Sequence, residues 1–447
     1  MPFLGMRGPG DFTTNERPES YRQKILELSP NGSTTLVGMT SMLASEPVDD
    51  PKFHWFTRSL STQAAAVTNV YINNDLSTAY VYATHHATSG IAGSSLFVKL
   101  AEADAKMFRE GHQVLLRDAS NYKVDVMAKV VGVTFNGANS FLSVRLLEVD
   151  DNAGADVATY NIATVDRVLV AGNINSMGGT RPPSVHYDPT EVTNVTQIWR
   201  TPLELTRTAM KTKLRTRDAY LDEKSQSLLY HGVEMEKNLI WGIRTEGVGA
   251  NGKPEYTTMG LVQFIKTYAS VNVDDFTLNT AYAGKAWIEK GEEWLDTIIS
   301  NVFAKRPDSP NGLGGEKLAL CGAGALLGIQ RLIKASGMYT LAAKTVSYGI
   351  QVVSWVTVFG TLHFKVHPLF SWEETNNYSM LIVEPQHIKW RPLDDTFFKP
   401  DNSDRTGGGT GVDGKQEEYV TEGGYEYHYP ETMGYYNGVG LDNELSS

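Results

Sequence analysis

The sequence predicts an α+β fold in several parts, with a small antiparallel β domain set inside the chain. Three observations predict it. Two stretches, about 218–243 and 284–304, carry helical periodicity. A long stretch from 96 to 172 carries strand alternation, with turn residues between its runs. Short strand-like runs then return after 316 and again after 379. No repeat of solenoid or propeller length is present.

Residues 1–50 are rich in Gly, Pro, Asn and Ser, with scattered apolar anchors at Phe3, Leu4, Tyr21, Ile25, Leu26 and Leu28. Such a stretch buries too little surface to fold alone, so it reads as disordered or as an arm laid on something else. Phe53-His54-Trp55-Phe56 restarts order, and Val67, Val70 and Ile72 suggest a strand. Val114-Leu115-Leu116, then Val124, Val126 and Ala128, then Val130 and Val133, lead to a hairpin signal at Asn136-Gly137. Phe141, Val144 and Leu146 follow it, and Asp150 to Gly154 reads as a further turn. Residues 173–190 are a linker, and strand character returns at Thr193–Trp199 and Leu203–Thr208.

Asp218 is placed to cap the strongest helix, with Asp222 and Glu223 in the early turns where carboxylates favour the dipole. Leu221, Ser225, Leu228, Gly232, Met235 and Leu239 step by four and three and are expected to form its packed face. At the standard rise, Asp218–Ile243 would be ~39 Å long. A second helix puts Trp287, Trp294, Leu295, Ile298 and Val302 on one face, and Pro307 and Pro310 stop it. Lys317–Cys321 reads as a strand and Ala325–Lys334 as a helix. Gln351–Val358 pairs with Thr361–His367 around Gly360, and Ser379–Val383 and His387–Arg391 flank Pro385. Tyr419, Tyr425, Tyr427, Tyr429, Tyr435 and Tyr436 either complete a sheet or form a contact surface.

The chain has 447 residues, enough for two or three domains, and a net charge of −11 with both signs interspersed. No basic groove for nucleic acid is visible, although a container need not grip its contents. Cys321, the single cysteine, excludes an internal disulfide and a multi-cysteine metal site. No signal peptide and no apolar run of membrane-spanning length is found, so a protein folded in a reducing cytoplasm is expected.

Each motif with chemical overtones has a plainer counterpart. Gly247 to Lys253 matches phosphate-loop spacing up to the lysine. Pro254 follows where a magnesium-binding hydroxyl is needed, so a glycine loop is expected. Gly322, Gly324 and Gly328 approximate a dinucleotide fingerprint with the third glycine one place late, and close helix packing is expected instead. His363 and His367 would share a strand face with Lys365, and His85 and His86 would point to opposite faces if extended. Asp150, Asp151, Asn152 and Asp156 lack the closing glutamate of a calcium loop. Glu292-Glu293 and Glu373-Glu374 are adjacent rather than facing, and Cys321 has no partner for nucleophilic catalysis. Asn31 and Asn194 sit in glycosylation sequons that mean nothing without secretion. No catalytic, cofactor-binding or metal residue is assigned, and no enzyme is expected.

The order of parts then resembles the major capsid proteins of tailed bacteriophages with the Hong Kong 97-type fold. Phe53-His-Trp55-Phe56-Thr-Arg-Ser-Leu60 resembles the outgoing strand of that family's extended loop. Val195-Thr-Gln197-Ile198-Trp199, with Leu205 to Thr208, resembles the returning side. Ala219–Gly242, including Glu234-Met-Glu236-Lys237-Asn238, resembles the spine helix. Lys317–Tyr339 and Val352–Leu369 resemble the axial domain, and Leu381–Leu393 the strand returning to the peripheral domain.

The resemblance covers about 53–395 and implies an N-terminal arm at 1–52, then an extended loop with flanking strands at 53–89 and 181–215. An inserted small antiparallel β domain falls at 90–180 and a peripheral-domain spine helix at 216–254. The axial domain takes 255–375, with the helix near 284–304 open to assignment to the peripheral domain instead, and peripheral-domain return strands and the C-terminal tail take 376–447. The implied function is a major capsid protein whose hexamers and pentamers close an icosahedral head shell around double-stranded DNA held by confinement. Implied partners are further copies of itself, with scaffold, portal and decoration proteins as further candidates, and no membrane. The implied place is the virion head, assembled in the host bacterial cytoplasm. Alternatives are another virion part (tail tube or decoration protein), an encapsulin-like compartment shell, or an enzyme working through Gly247–Lys253.

Overall fold

The computed structural model describes residues 45–58, 61–214, 218–305, 315–336, 342–345, 351–400 and 413–446. The expected arm therefore lies outside the described residues up to position 44, as do Ser59, Leu60, Pro307, Pro310 and Asn31. The described chain forms two compact units, one of residues 56–190 and one of the residues on either side.

The unit of residues 56–190 is a curled antiparallel sheet of seven strands. Their order is Ala64–Ala66, Arg167–Asn173, His112–Arg117, Asp125–Thr134, Phe141–Leu146, Ser95–Lys99 and Asn69–Tyr71. The two edge strands are neighbours in sequence, separated only by Val67 and Thr68, so one broken strand brings both edges of the sheet together. At the break the Val67 N–H donates to Asp166 O, and the Thr68 N–H donates to Lys99 O, each at 2.8 Å. Alternation drives the curl: Leu96, Val98, Val114, Leu116, Val126, Ala128, Leu142 and Val144 all point inward and are fully buried. Gly137 turns the expected hairpin with φ at +53°, a conformation that favours glycine. The strands Ala64–Ala66 and Asn69–Tyr71, from the stretch read as flanking the extended loop, hydrogen-bond into this sheet.

The second unit is built on two sheets. One has Gly414–Tyr427 between Gln197–Thr206 and Ile388–Lys399, all antiparallel. Residues 46–48 run beside its outer strand, the Glu46 and Val48 N–H groups donating to Trp390 O and Pro392 O at 3.2 and 3.0 Å. The other sheet is mixed. It orders Val273–Asp275, Gly434–Asn437, Met380–Val383, Glu316–Cys321, Thr361–Val366, Gln351–Val356 and Ala342–Thr345. Helices Trp287–Ala304 and Ala323–Ser336 contribute to the core it shares with Phe276, Phe364 and Tyr436. Trp287, Trp294, Leu295, Ile298 and Val302 are all buried, as their spacing predicts. Complete burial of such large side chains contributes about 1.5–3 kcal/mol each.

The long helix spans Ala219–Trp241, and the Asp218 carboxylate accepts from the Tyr220 and Leu221 N–H groups at 2.9 and 3.1 Å. It stops at Gly242, where a Cβ would stand 2.8 Å from Thr258 O. Its packed face differs from the expected one. Met235 and Leu239 are buried, but Leu221 and Leu228 are 59% and 47% exposed. The reason is that only the second half of the helix crosses the apolar core. The first half faces the three-stranded sheet through Ser227 and His231, and His231 meets hydroxyls rather than hydrocarbon.

Candidate functional site

The sequence motifs resolve into structural roles. Gly247 lies in a hairpin, with Thr245–Val248 paired antiparallel to Pro254–Thr257 and Gly252 at φ +73° in its turn. No strand feeds a helix there: the segment is a glycine turn, as expected from Pro254, and not a phosphate loop. The glycines after Cys321 are packing glycines, as expected. A Cβ on Gly322 would stand 2.6 Å from the Asn377 carbonyl carbon, and one on Gly324 would stand 2.7 Å from the Tyr378 ring. A Cβ on Gly328 would meet Gly440 Cα, so the backbones themselves are in contact.

His85 and His363 are engaged by their neighbours. His85 and His86 sit on the helix Tyr82–Ser89 and not on a strand, and His85 Nδ1 accepts from the Val81 N–H at 2.9 Å. His363 is buried, with Ser354 Oγ 2.9 Å from its Nδ1. Asp150 is buried too: the Tyr80 hydroxyl donates to it at 2.8 Å and the Ile162 N–H at 3.1 Å. Burial pushes its pKa up, against the pull of those donors. Asn194 is 1% exposed, its amide donating to Tyr425 O and accepting from the Met259 N–H, so that sequon is closed to a glycan. Burial pushes the Cys321 thiol up to about 12, which leaves it inert at neutral pH. Five of the six tail tyrosines settle the open choice in favour of a sheet. Tyr419, Tyr425 and Tyr427 lie on one strand and Tyr435 and Tyr436 on another, all buried, while Tyr429 is 40% exposed.

Three buried polar networks carried no sequence signal. His367 and Glu236 are both fully buried, with Nε2 2.9 Å from Oε1. The Leu369 N–H donates to His367 Nδ1 at 3.3 Å, so a neutral ring carries its proton on Nε2 and donates it to Glu236. The Lys317 ammonium, beneath the Phe303 ring, donates to Glu384 and to Thr432 O. Burial works to raise the Glu384 pKa, but the His387 hydrogen bond and the Lys317 charge outweigh it and hold the carboxyl below its ordinary value. His231 lies between Thr201 and Thr421, 2.9 and 2.7 Å away, and burial lowers its pKa. Residues from distant parts of the sequence meet in each network, which only tertiary structure can arrange. Each ties a helix or strand to another; none faces an open pocket with a nucleophile and base in reach.

Among the described residues, no three His, Cys, Asp or Glu side chains are grouped to hold a metal ion. No helix among the described residues is long and apolar enough to cross a membrane. An open groove of about 880 Å³ is lined by Trp199, Lys237, Trp241, Lys266 and Trp372, with ammonium groups over aromatic rings. The surface also carries large apolar side chains in solvent, including Tyr230, Ile243, Val248 and Ile288. What the arrangement supplies is contact area.

The family model described as SU10 major capsid protein matches residues 8–440. The major capsid protein of Pseudomonas phage PaMx41 is 23% identical over 405 residues, covering 89% of this chain and 85% of that protein. Among solved structures, a chain of Mycobacterium phage Bobi is similar at a TM-score of 0.42, with 9% identity over 95% of this chain and 96% of that one. A chain of Microbacterium phage Oxtober96 gives the same score at 9% identity, over 96% and 97%. An encapsulin complex of Synechococcus elongatus gives 0.36 at 10% identity, over 58% and 78%.

Proposed function

The chain belongs to the SU10 major capsid protein family, and on that premise we propose that its copies form hexamers and pentamers that close into an icosahedral head shell around double-stranded DNA. It is a tailed-phage major capsid protein, structural and not enzymatic, related to capsids of the Hong Kong 97-type fold. The observation that carries the proposal is the extent of the family match, residues 8–440, which leaves almost none of the chain for another activity.

The parts take the roles the resemblance implies. Ala219–Trp241 is the spine helix of the peripheral domain, and the mixed seven-stranded sheet with its helices forms the axial lobe at the ring axis. The β domain within 90–180 is an insertion at the extended loop. Ring contacts between identical chains join two different surfaces and close by rotation. DNA is held by confinement, in keeping with a net charge of −11. Assembly takes place in the host cytoplasm, with a separate scaffold, a portal and decoration proteins as partners.

Negative-stain microscopy of the chain expressed alone and purified by size tests this reading. Closed shells, or rings of five and six, are expected. Open tubes would transfer the chain to the tail. A closed shell formed without any other protein would remove the scaffold from the proposal.

A further inference from the structure

A basic strap precedes the long helix in an otherwise acidic chain. Arg207, Lys211, Lys213, Arg215 and Arg217 fall within eleven residues that contain no acid, while the whole chain carries −11. Positions 215–217 lie outside the described residues, and the structural argument rests on Lys211 and Lys213.

Both lysines are exposed. Arg207 is already engaged, its guanidinium forked on Asp413 with its Nε donating at 2.7 Å and a terminal nitrogen at 3.1 Å. Nearby, Lys224 is stacked 3.5 Å over the Phe398 ring, and Lys415 lies 5.1 Å over Tyr220. Lys211 and Lys213 have no such commitment: among the described residues neither has a carboxylate at ion-pair distance. The first acid after the strap, Asp218, turns its carboxylate to the helix cap.

Spacing decides what the pair fits. The short helix Arg207–Lys211 ends at Thr212, whose backbone is extended with φ −75° and ψ 125°. Alternate residues on extended backbone stand about 6.6 Å apart. Successive phosphates of one DNA strand, separated by about 3.4 Å of axial rise and one step of twist, stand about 6–7 Å apart. Lysine stems anchored at that spacing reach successive phosphates of one duplex strand, a contact to the backbone rather than to base edges.

We propose that Lys211 and Lys213 form a phosphate-backbone contact for double-stranded DNA, without sequence preference. The inference rests on the capsid reading, in which the contents are DNA, and adds a point of contact to simple confinement.

The test is fluorescence anisotropy of a short labelled duplex titrated with the full-length chain at two salt concentrations. Two phosphate contacts give a salt slope near −1.8, so affinity falls at least about twelvefold between about 50 and about 200 mM salt. Lys211→Gln with Lys213→Gln removes that twelvefold dependence, and Lys211→Arg with Lys213→Arg retains it. Absence of duplex binding by the unaltered chain overturns the proposal, as does an unchanged salt slope in the Gln variant. Stronger binding of polyglutamate than of duplex overturns it in favour of an acidic protein partner. Microscopy of the Gln variant separates this from the capsid reading: shells or rings that form normally but bind duplex like the unaltered chain refute the strap alone, and an unaltered chain that forms neither shells nor rings, alone or together with the other head proteins, refutes the capsid reading.

Discussion

Gly328→Ala should destabilise the chain, although helix propensity says the opposite. Gly328 lies inside the helix Ala323–Ser336, where alanine is favoured over glycine by about 1 kcal/mol. The structure opposes this. A Cβ at Gly328 would meet Gly440 Cα, and Gly440 N at 3.0 Å, both backbone atoms with no rotamer to give way. Gly440 cannot move freely, because its φ of +95° suits glycine, and the Trp287 indole N–H fixes the other side by donating to Gly328 O at 3.0 Å. Overpacking of this kind costs about 1–3 kcal/mol, so the net change is a loss of about 0–2 kcal/mol where propensity alone predicts a gain. At roughly 2–4 °C per kcal/mol, the melting temperature should fall by up to about 8 °C. Thermal unfolding of the unassembled chain, followed by circular dichroism, reads this directly. A melting temperature raised by 2 °C or so would refute the close-packing account of these glycines.

Lys317→Met should cost about 3–5 kcal/mol in urea denaturation, because it leaves the Glu384 carboxylate buried beside His387 without its cation; adding Glu384→Gln should recover part of the loss, and additive losses would contradict the pairing. His231 titrates below its unfolded value of 6.5, so above that pH both states are neutral. Below it the unfolded chain takes up a proton that the folded chain does not, and stability falls until the folded pKa is reached. His231→Asn should flatten the pH dependence of stability below 6.5, and an unchanged slope would count against it. Cys321 should react with a thiol reagent only as fast as the chain unfolds, given its burial and raised pKa, and rapid labelling of the folded chain would contradict that. Leu221→Ser should change the stability of the unassembled chain by less than about 0.5 kcal/mol, since the side chain stands in solvent.

Local patterns were legible in the sequence. The helix Trp287–Ala304 follows its apolar spacing, and the strands of the curled seven-stranded sheet follow their alternation, because each pattern meets a wholly apolar neighbour. The long helix was legible in extent but not in facing. Its first half lies against hydroxyls from Thr201 and Thr421, and a polar contact leaves no hydrophobic period to read. The pairing of His367 with Glu236 joins residues 131 positions apart, so no local window contains it. The strand suggested by Val67, Val70 and Ile72 corresponds to Asn69–Tyr71, while Ala64–Ala66 carries no apolar alternation and its pairing with residues 167–169 left no local signal. At Gly247–Lys253 the sequence argues against a phosphate loop through Pro254 and through the helix that precedes it, and Pro254 heads the second strand of the hairpin found there.

The most direct test of the central claim is electron cryo-microscopy of the heads that contain this chain. The account predicts a closed shell of hexamers and pentamers whose every subunit traces to this sequence, with the mixed seven-stranded lobe at the ring axes. A shell built from another protein, with this chain bound on its outside or stacked in a tail, would contradict it.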